Sequence, residues 1–329
     1  MIVPAFWAEG RVQQQLAGKQ ITVRRFGWSD ESPIAAQAHA DARTQEALVR
    51  IVAGESGLIR RERKAPYNGA DGLPIREEIV ARHGEAIVTR NSYGARCLNT
   101  PDVLFVDIDF DTPSSVGAGS AVAGWIVLAL AAAALAGLAT RSLFVAGGAL
   151  ASVGLLGAGW MAARRPGPQA ETLDPEQEAT ARVAAFIGQH PDWHLRLYRT
   201  PVGLRVLAMH RTFDPSEPAV AECFQALGAD TVYARMCRNQ HCFRARLSAK
   251  PWRIGISEPL RPRPGVWPVA PERLPARDAW VAHYEQAAKG HAACQFRTAM
   301  GSATVHPATL AVREVHDEEA RAHSGLPLG

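Results

Sequence analysis

The chain lacks the strings that mark several catalytic classes. No Gly-x₄-Gly-Lys-Ser/Thr loop occurs, and no glycine fingerprint follows a strand-like run, which excludes P-loop and Rossmann-type phosphate cradles. There is no Gly-x-Ser-x-Gly elbow and no His-Glu-x-x-His, so hydrolase and zincin sites of those kinds are excluded too. Cysteine is scarce. Cys97, Cys223, Cys237, Cys242 and Cys294 are odd in number and without framework spacing, which argues against a disulfide scaffold and for a reducing compartment. The run Cys237-Arg238-Asn239-Gln240-His241-Cys242 offers zinc-type ligands, yet a fourth ligand would have to come from Cys223 or Cys294.

Charge is nearly missing from one long stretch. Val116 to Thr140 is uncharged, Arg141 follows, and Ser142 to Ala163 is uncharged again. Each run meets the roughly 20-residue length of a spanning helix. Its Gly and Ala residues suit close helix packing in lipid. The expectation is a two-helix transmembrane hairpin over 114–165. Arg164-Arg165 after it places both termini in the cytoplasm of a bacterial inner membrane by the positive-inside rule. Acids are scarce elsewhere: from Arg235 to Arg263 there are eight Lys/Arg and one acid, Glu258, a balance that fits a phosphate-bearing partner or anionic lipid.

What is present is an acidic strand directly before that stretch. Val103-Leu104-Phe105-Val106 leads into Asp107-Ile108-Asp109-Phe110-Asp111. Side chains two apart share a face of a strand, so three carboxylates would project together. They repel one another unless solvated or neutralised by a cation. Elsewhere the composition reads as alternating helices and strands. Strands are expected at Gln20–Trp28, Ala86–Arg90, Trp193–Arg199, Leu204–His210, Thr231–Met236 and Phe243–Leu247. Helices are expected at Ser32–Ala53, Ile75–His83, Asp174–Gln189, Pro218–Leu227, Ala276–Lys289 and Pro307–Ala322. The segments then read as an N-terminal α/β region (1–90), an acidic-strand part of a core (91–113), the hairpin (114–165), the rest of the core (166–256) and a C-terminal helical region (257–329).

Read in order, three strings resemble the catalytic core of the archaeo-eukaryotic primase superfamily. Phe105-Val106-Asp107-Ile108-Asp109 resembles its hydrophobic strand ending in Asp-x-Asp. Thr200-Pro201-Val202-Gly203-Leu204-Arg205-Val206 resembles its phosphate-contacting turn, with Arg205 where the family has His. Asp230-Thr231-Val232-Tyr233-Ala234-Arg235, followed by Phe243-Arg244-Ala245-Arg246-Leu247-Ser248-Ala249-Lys250, resembles its third motif, an Asp opening a strand and then Phe-Arg and Ser-x-Lys. The resemblance covers roughly Asn91 to Lys250 without the hairpin. It implies an α+β fold with a primase–polymerase-like, RRM-like mixed sheet and flanking helices. It also implies Mg²⁺ or Mn²⁺ held by Asp107, Asp109, Asp111 and Asp230, with Asp107, Asp109 and Asp230 catalytic. A nucleoside triphosphate would be held by Thr200, Gly203, Arg205, Arg235, Arg244 and Lys250, with nucleic acid as a further partner. The expected protein is then a membrane-anchored, metal-dependent nucleotide binder of nucleotidyltransferase type. A tethered non-catalytic sensor and a structural membrane protein binding anionic lipid are the alternatives.

Overall fold

The computed structural model describes residues 1–16, 18–62, 73–110, 174–263 and 265–329, with scattered positions between 126 and 153. Two compact units divide the chain: Met1–Asp109 with Glu178–Gly329, and Phe110–Gln177. The sheets described below belong to the first.

Strands β1 (Phe6–Leu16) and β2 (Lys19–Ser29) form an antiparallel hairpin, and helix α1 (Pro33–Val52) lies on it. Ser32 starts the helix, its hydroxyl accepting from Ala35 N at 3.1 Å, with Pro33 at the first helical position. Small residues let the layers meet: a Cβ on Gly27 would lie 2.1 Å from Ala40 N. Ala36 and Ala40 are fully buried there.

Two four-stranded sheets follow. One runs β3 (Glu78–His83), β4 (Ala86–Arg90), β5 (Arg96–Thr100), β9 (Phe243–Arg246); the other runs β10 (Gln295–Gly301), β7 (His194–Thr200), β8 (Gly203–Ala208), β6 (Phe105–Asp109). Every strand pair within them is antiparallel, so the expected mixed sheet is corrected to an α+β fold of antiparallel sheets. The Tyr233 hydroxyl lies 3.0 Å from both Phe105 O of β6 and Arg244 O of β9, fastening the sheets together. Helices α2 (Pro175–Gln189), α3 (Pro218–Leu227), α4 (Thr231–Gln240), α5 (Leu274–Ala288) and α6 (Pro307–Glu319) complete the described elements.

The strand expected at Thr231–Met236 is α4. Asp230 Oδ1 accepts from Tyr233 N at 2.7 Å, an N-cap, and Tyr233, Cys237 and Gln240 then fall on one buried face at helical spacing. Capping and periodicity override the β preference of Thr231 and Val232. The helix expected at Ile75–His83 is largely β3, because its Glu78 finds Arg90 and Arg277 only when extended along β4. The C-terminal region is not purely helical either, since it supplies β10.

The transmembrane hairpin is overturned. Among the described residues no helix is long and apolar enough to cross a membrane. Most of Val116–Ala163 lies outside the described residues, as do the linker 165–168 and Asp111. The inner-membrane localisation and the topology drawn from it are corrected with it. An uncharged run only removes the penalty for entering lipid, whereas Ala and Gly, frequent here, bury little apolar area each.

Candidate functional site: a cavity of carboxylates and guanidinium groups

Strand β6 buries Val106 and Ile108 on one face and turns Asp107 and Asp109 to the other, as period two requires. That face opens on a cavity of about 340 Å³. Asp107, Asp109, Thr200, Arg205, Asp230, Arg244 and Lys250 all line it. Stretches more than a hundred residues apart in the chain therefore converge.

Each charge is held differently. Arg205 stands directly opposite Asp107 in the β6–β8 register, and its Nε donates to Asp107 Oδ1 at 2.8 Å. Its Nη1 donates to Arg246 O at 2.9 Å and lies 3.4 Å from His316 Nε2. The guanidinium is only 2% exposed. Burial, the largest single effect, would weaken its hold on its proton, but the charge of Asp107, the hydrogen bond to it and further neighbours together outweigh this and the net shift is upward. Arginine has no acceptor, so His316 Nε2 accepts, and the ring proton sits on Nδ1, which donates to Asp317 Oδ1 at 2.9 Å. Burial holds the His316 pKa down. Burial would raise the Asp317 pKa, but the hydrogen bond from His316 leads the opposing effects and holds it at about 2. A second oxygen of Asp317 accepts from Arg196 Nη2 at 3.1 Å. Asp107 is thus the inner end of a buried chain running through Arg205 and His316 to Asp317 and Arg196.

Asp109, exposed and two residues further along β6, makes no side-chain hydrogen bond and no ion pair among the described residues. Partial burial and then the neighbouring charges of Asp107 and Asp230 raise its pKa, while Lys250 and Arg253 oppose them. Asp230 sits beside Asp107 through a backbone bond, its N–H donating to Asp107 O at 3.0 Å. Arg244 is held in the cavity wall by Glu77, gripped at 2.8 and 2.7 Å, and Asn99 Oδ1 accepts from it at 3.2 Å. The Lys250 ammonium has no hydrogen bond or ion pair among the described residues, and burial, then Arg246 and Arg253, lower its pKa. One nitrogen of Arg253, Nη1, is buried without a partner.

Of the expected ligand contacts, one is already engaged within the cavity and two lie outside its lining. Arg205 is occupied by Asp107, so it orients a carboxylate rather than facing a phosphate. Gly203 does not line the cavity; it is opposite Asp109 in the register, where a Cβ would lie 1.9 Å from Ile108 O. Arg235 is exposed on α4 and is not among the lining residues.

No group of three or more His, Cys, Asp or Glu side chains among the described residues is arranged to hold a metal ion. The cysteine run forms no such group there: all five cysteines are buried and none is in a disulfide, and burial pushes Cys223 and Cys294 up to about 12. For the acids it sets the form of any site. Asp109 and the uncapped oxygen of Asp230 are hard donors that fit a cation completed by ligand phosphate and water, as Mg²⁺ prefers, rather than an all-protein cage.

Reading the sequence missed Glu77, Tyr93 and Arg246, which also line the cavity, together with Arg253, His316 and Asp317. Arg253 lay in the basic run and Arg246 inside the third string; nothing local marked the others. No protein-family model, no curated protein and no solved structure matches this chain.

Proposed function

We propose that this cavity binds a nucleoside triphosphate with a divalent cation, and that the protein belongs to the nucleotidyl-transferring chemistry of the primase–polymerase type. The observation that carries the reading is the pairing of opposites left unsatisfied at the end of β6. Among the described residues the Asp109 carboxylate has no hydrogen-bond or ion-pair partner, and the Lys250 ammonium and a buried nitrogen of Arg253 likewise lack one, within reach of each other's fields. A carboxylate and cations that attract yet form no pair leave room for a ligand carrying both signs, which a metal–triphosphate does.

In this reading Asp107, Asp109 and Asp230 are the acidic side. The Mg²⁺ or Mn²⁺ they would hold supplies charge neutralisation where a phosphoryl group is transferred. Arg205 keeps Asp107 aimed, and Lys250 and Arg253 face the phosphates. The order of the three strings supports the family likeness; the helical setting of Asp230 departs from its pattern, although Asp230 still reaches Asp107.

Isothermal titration with MgCl₂ and each ribonucleoside triphosphate tests this. Wild type should bind, and Asp109→Asn should weaken binding at least tenfold. Equal binding by both would sink the reading. A second reading, a nucleotide sensor without turnover, is favoured by Arg205 occupying Asp107. Pyrophosphate release with Mn²⁺, lost in Asp109→Asn, decides for the enzyme; binding without release decides for the sensor.

A further inference from the structure

The rim of the cavity carries an aromatic feature that the phosphate-binding groups do not use. Trp252 is 57% exposed, although it sits on a short 3₁₀ turn, Pro251–Arg253, between the site's two unpaired cations. Its ring centroid lies 5.2 Å from that of Tyr93 at 62°, an edge-to-face step. Lys250 Nζ lies 5.6 Å from the same ring. Tyr93 and Lys250 both line the cavity, so the indole adjoins it without filling it.

A lone exposed aromatic is ordinary on a protein surface. This one is neither alone nor loose. Arg253 N and Ile256 N donate to Lys250 O and Pro251 O at 2.9 and 3.0 Å, fixing the turn that carries it. Tyr93 is set by Asn91 Oδ1, which accepts from Tyr93 N at 3.2 Å and from Ala95 N at 3.1 Å. A rigid flat ring beside an unpaired ammonium suits a ligand with one flat apolar end and one anionic end.

We propose that Trp252, braced by Tyr93, is the stacking platform for the base of a nucleotide whose phosphates reach Lys250. This rests on the phosphate-and-cation reading of the cavity and adds to it the class of ligand: a phosphorylated aromatic heterocycle. The ring's face would take the base irrespective of its identity, because every base offers a π-surface.

Binding of the full chain to the four ribonucleoside triphosphates and to inorganic tripolyphosphate, each with Mg²⁺, separates the two ideas. Trp252→Ala should lose about tenfold in affinity for the nucleotides, the loss of one base–aromatic stack. Trp252→Phe should stay within about threefold of wild type. Tripolyphosphate should bind all three proteins alike. Unchanged nucleotide affinity in Trp252→Ala overturns the platform and leaves the phosphate site standing. A parallel loss of tripolyphosphate also overturns it, since the ring would then merely support Lys250. Wild type that binds tripolyphosphate as tightly as any nucleotide overturns it too, and wild type that binds neither removes the phosphate site as well.

Discussion

The two sheets handle charge in opposite ways. On the β3–β4–β5–β9 side, arginines are matched one after another. Arg244 is on Glu77 at 2.7 Å, Arg277 on Glu78 at 2.8 Å, Arg90 on Glu285 at 2.9 Å and Arg96 on Glu319 at 2.8 Å. At the open end of β6 the pattern stops. Asp107 is matched by Arg205, and two residues on Asp109 has no ion-pair partner among the described residues. A partly desolvated charge without a partner carries a cost, so a folding chain retains one chiefly where something else will meet it. The matched set holds the sheets in register; the unmatched set is where a ligand can still gain.

That contrast is broken most severely on the matched side. Glu77→Ala leaves the Arg244 guanidinium without its carboxylate in a buried setting, and should cost about 3–5 kcal/mol in urea unfolding. Adding Arg244→Met should recover most of that loss, because a well-packed apolar pair tolerates the same space. Recovery below a third of the loss would mean that Glu77 acts through Thr89, whose hydroxyl donates to it at 2.6 Å, rather than through the ion pair.

A smaller effect is expected where the sides meet. Gly203 lets β8 approach β6 opposite Asp109, with Ile108 O 1.9 Å from where a Cβ would stand. The obstacle is backbone and cannot swing aside. Gly203→Ala should therefore cost about 1–3 kcal/mol and, by shifting the end of β6, weaken Mg²⁺–nucleotide binding beyond what the stability loss explains. Titration of the folded variant at low temperature checks this; wild-type affinity would detach Gly203 from the site.

How much of this was legible beforehand depended on range. The alternation Asp107, Ile108, Asp109 announces two carboxylates on one face, because the period of a strand is local. The turn at Pro201 and the pairing of β7 with β8 were equally local. Nothing local says that Arg205 falls opposite Asp107, since register across β6 and β8 joins residues about a hundred positions apart, so a cation that orients an acid read as one that grips phosphate. Asp230 misled differently. Thr231 and Val232 favour a strand, yet the side chain of Asp230 caps Tyr233 N and starts a helix, while its backbone still reaches Asp107. His316 was the least legible, because its meaning comes from Arg205 on one side and Asp317 on the other. The uncharged run failed as a membrane signal for a different reason: missing charge is permissive, not driving.

The smallest expected effect lies on the unmatched side and has the opposite sign from the rest. The Asp109 pKa is raised in the folded protein, by partial burial and then by Asp107 and Asp230, so the ionised form is disfavoured there relative to the unfolded chain. Over the window between its ordinary value and its raised one, the folded state holds more proton than the unfolded state. Stability contributed by this group therefore falls as pH rises through that window and stays lowered above it. Asp109→Asn removes the penalty and should stabilise the protein at neutral pH by a fraction of a kcal/mol, roughly 0.2–0.5 given the exposure of the group. The gain should vanish below the ordinary carboxylate range, where Asp109 is protonated in both states. Thermal melts of the two proteins from acid to neutral pH read this directly. Because the same substitution should weaken metal–nucleotide binding at least tenfold, a variant that is both more stable and a weaker binder identifies Asp109 as a charge kept for a ligand rather than for the fold. A variant less stable at neutral pH would place Asp109 with the matched charges instead.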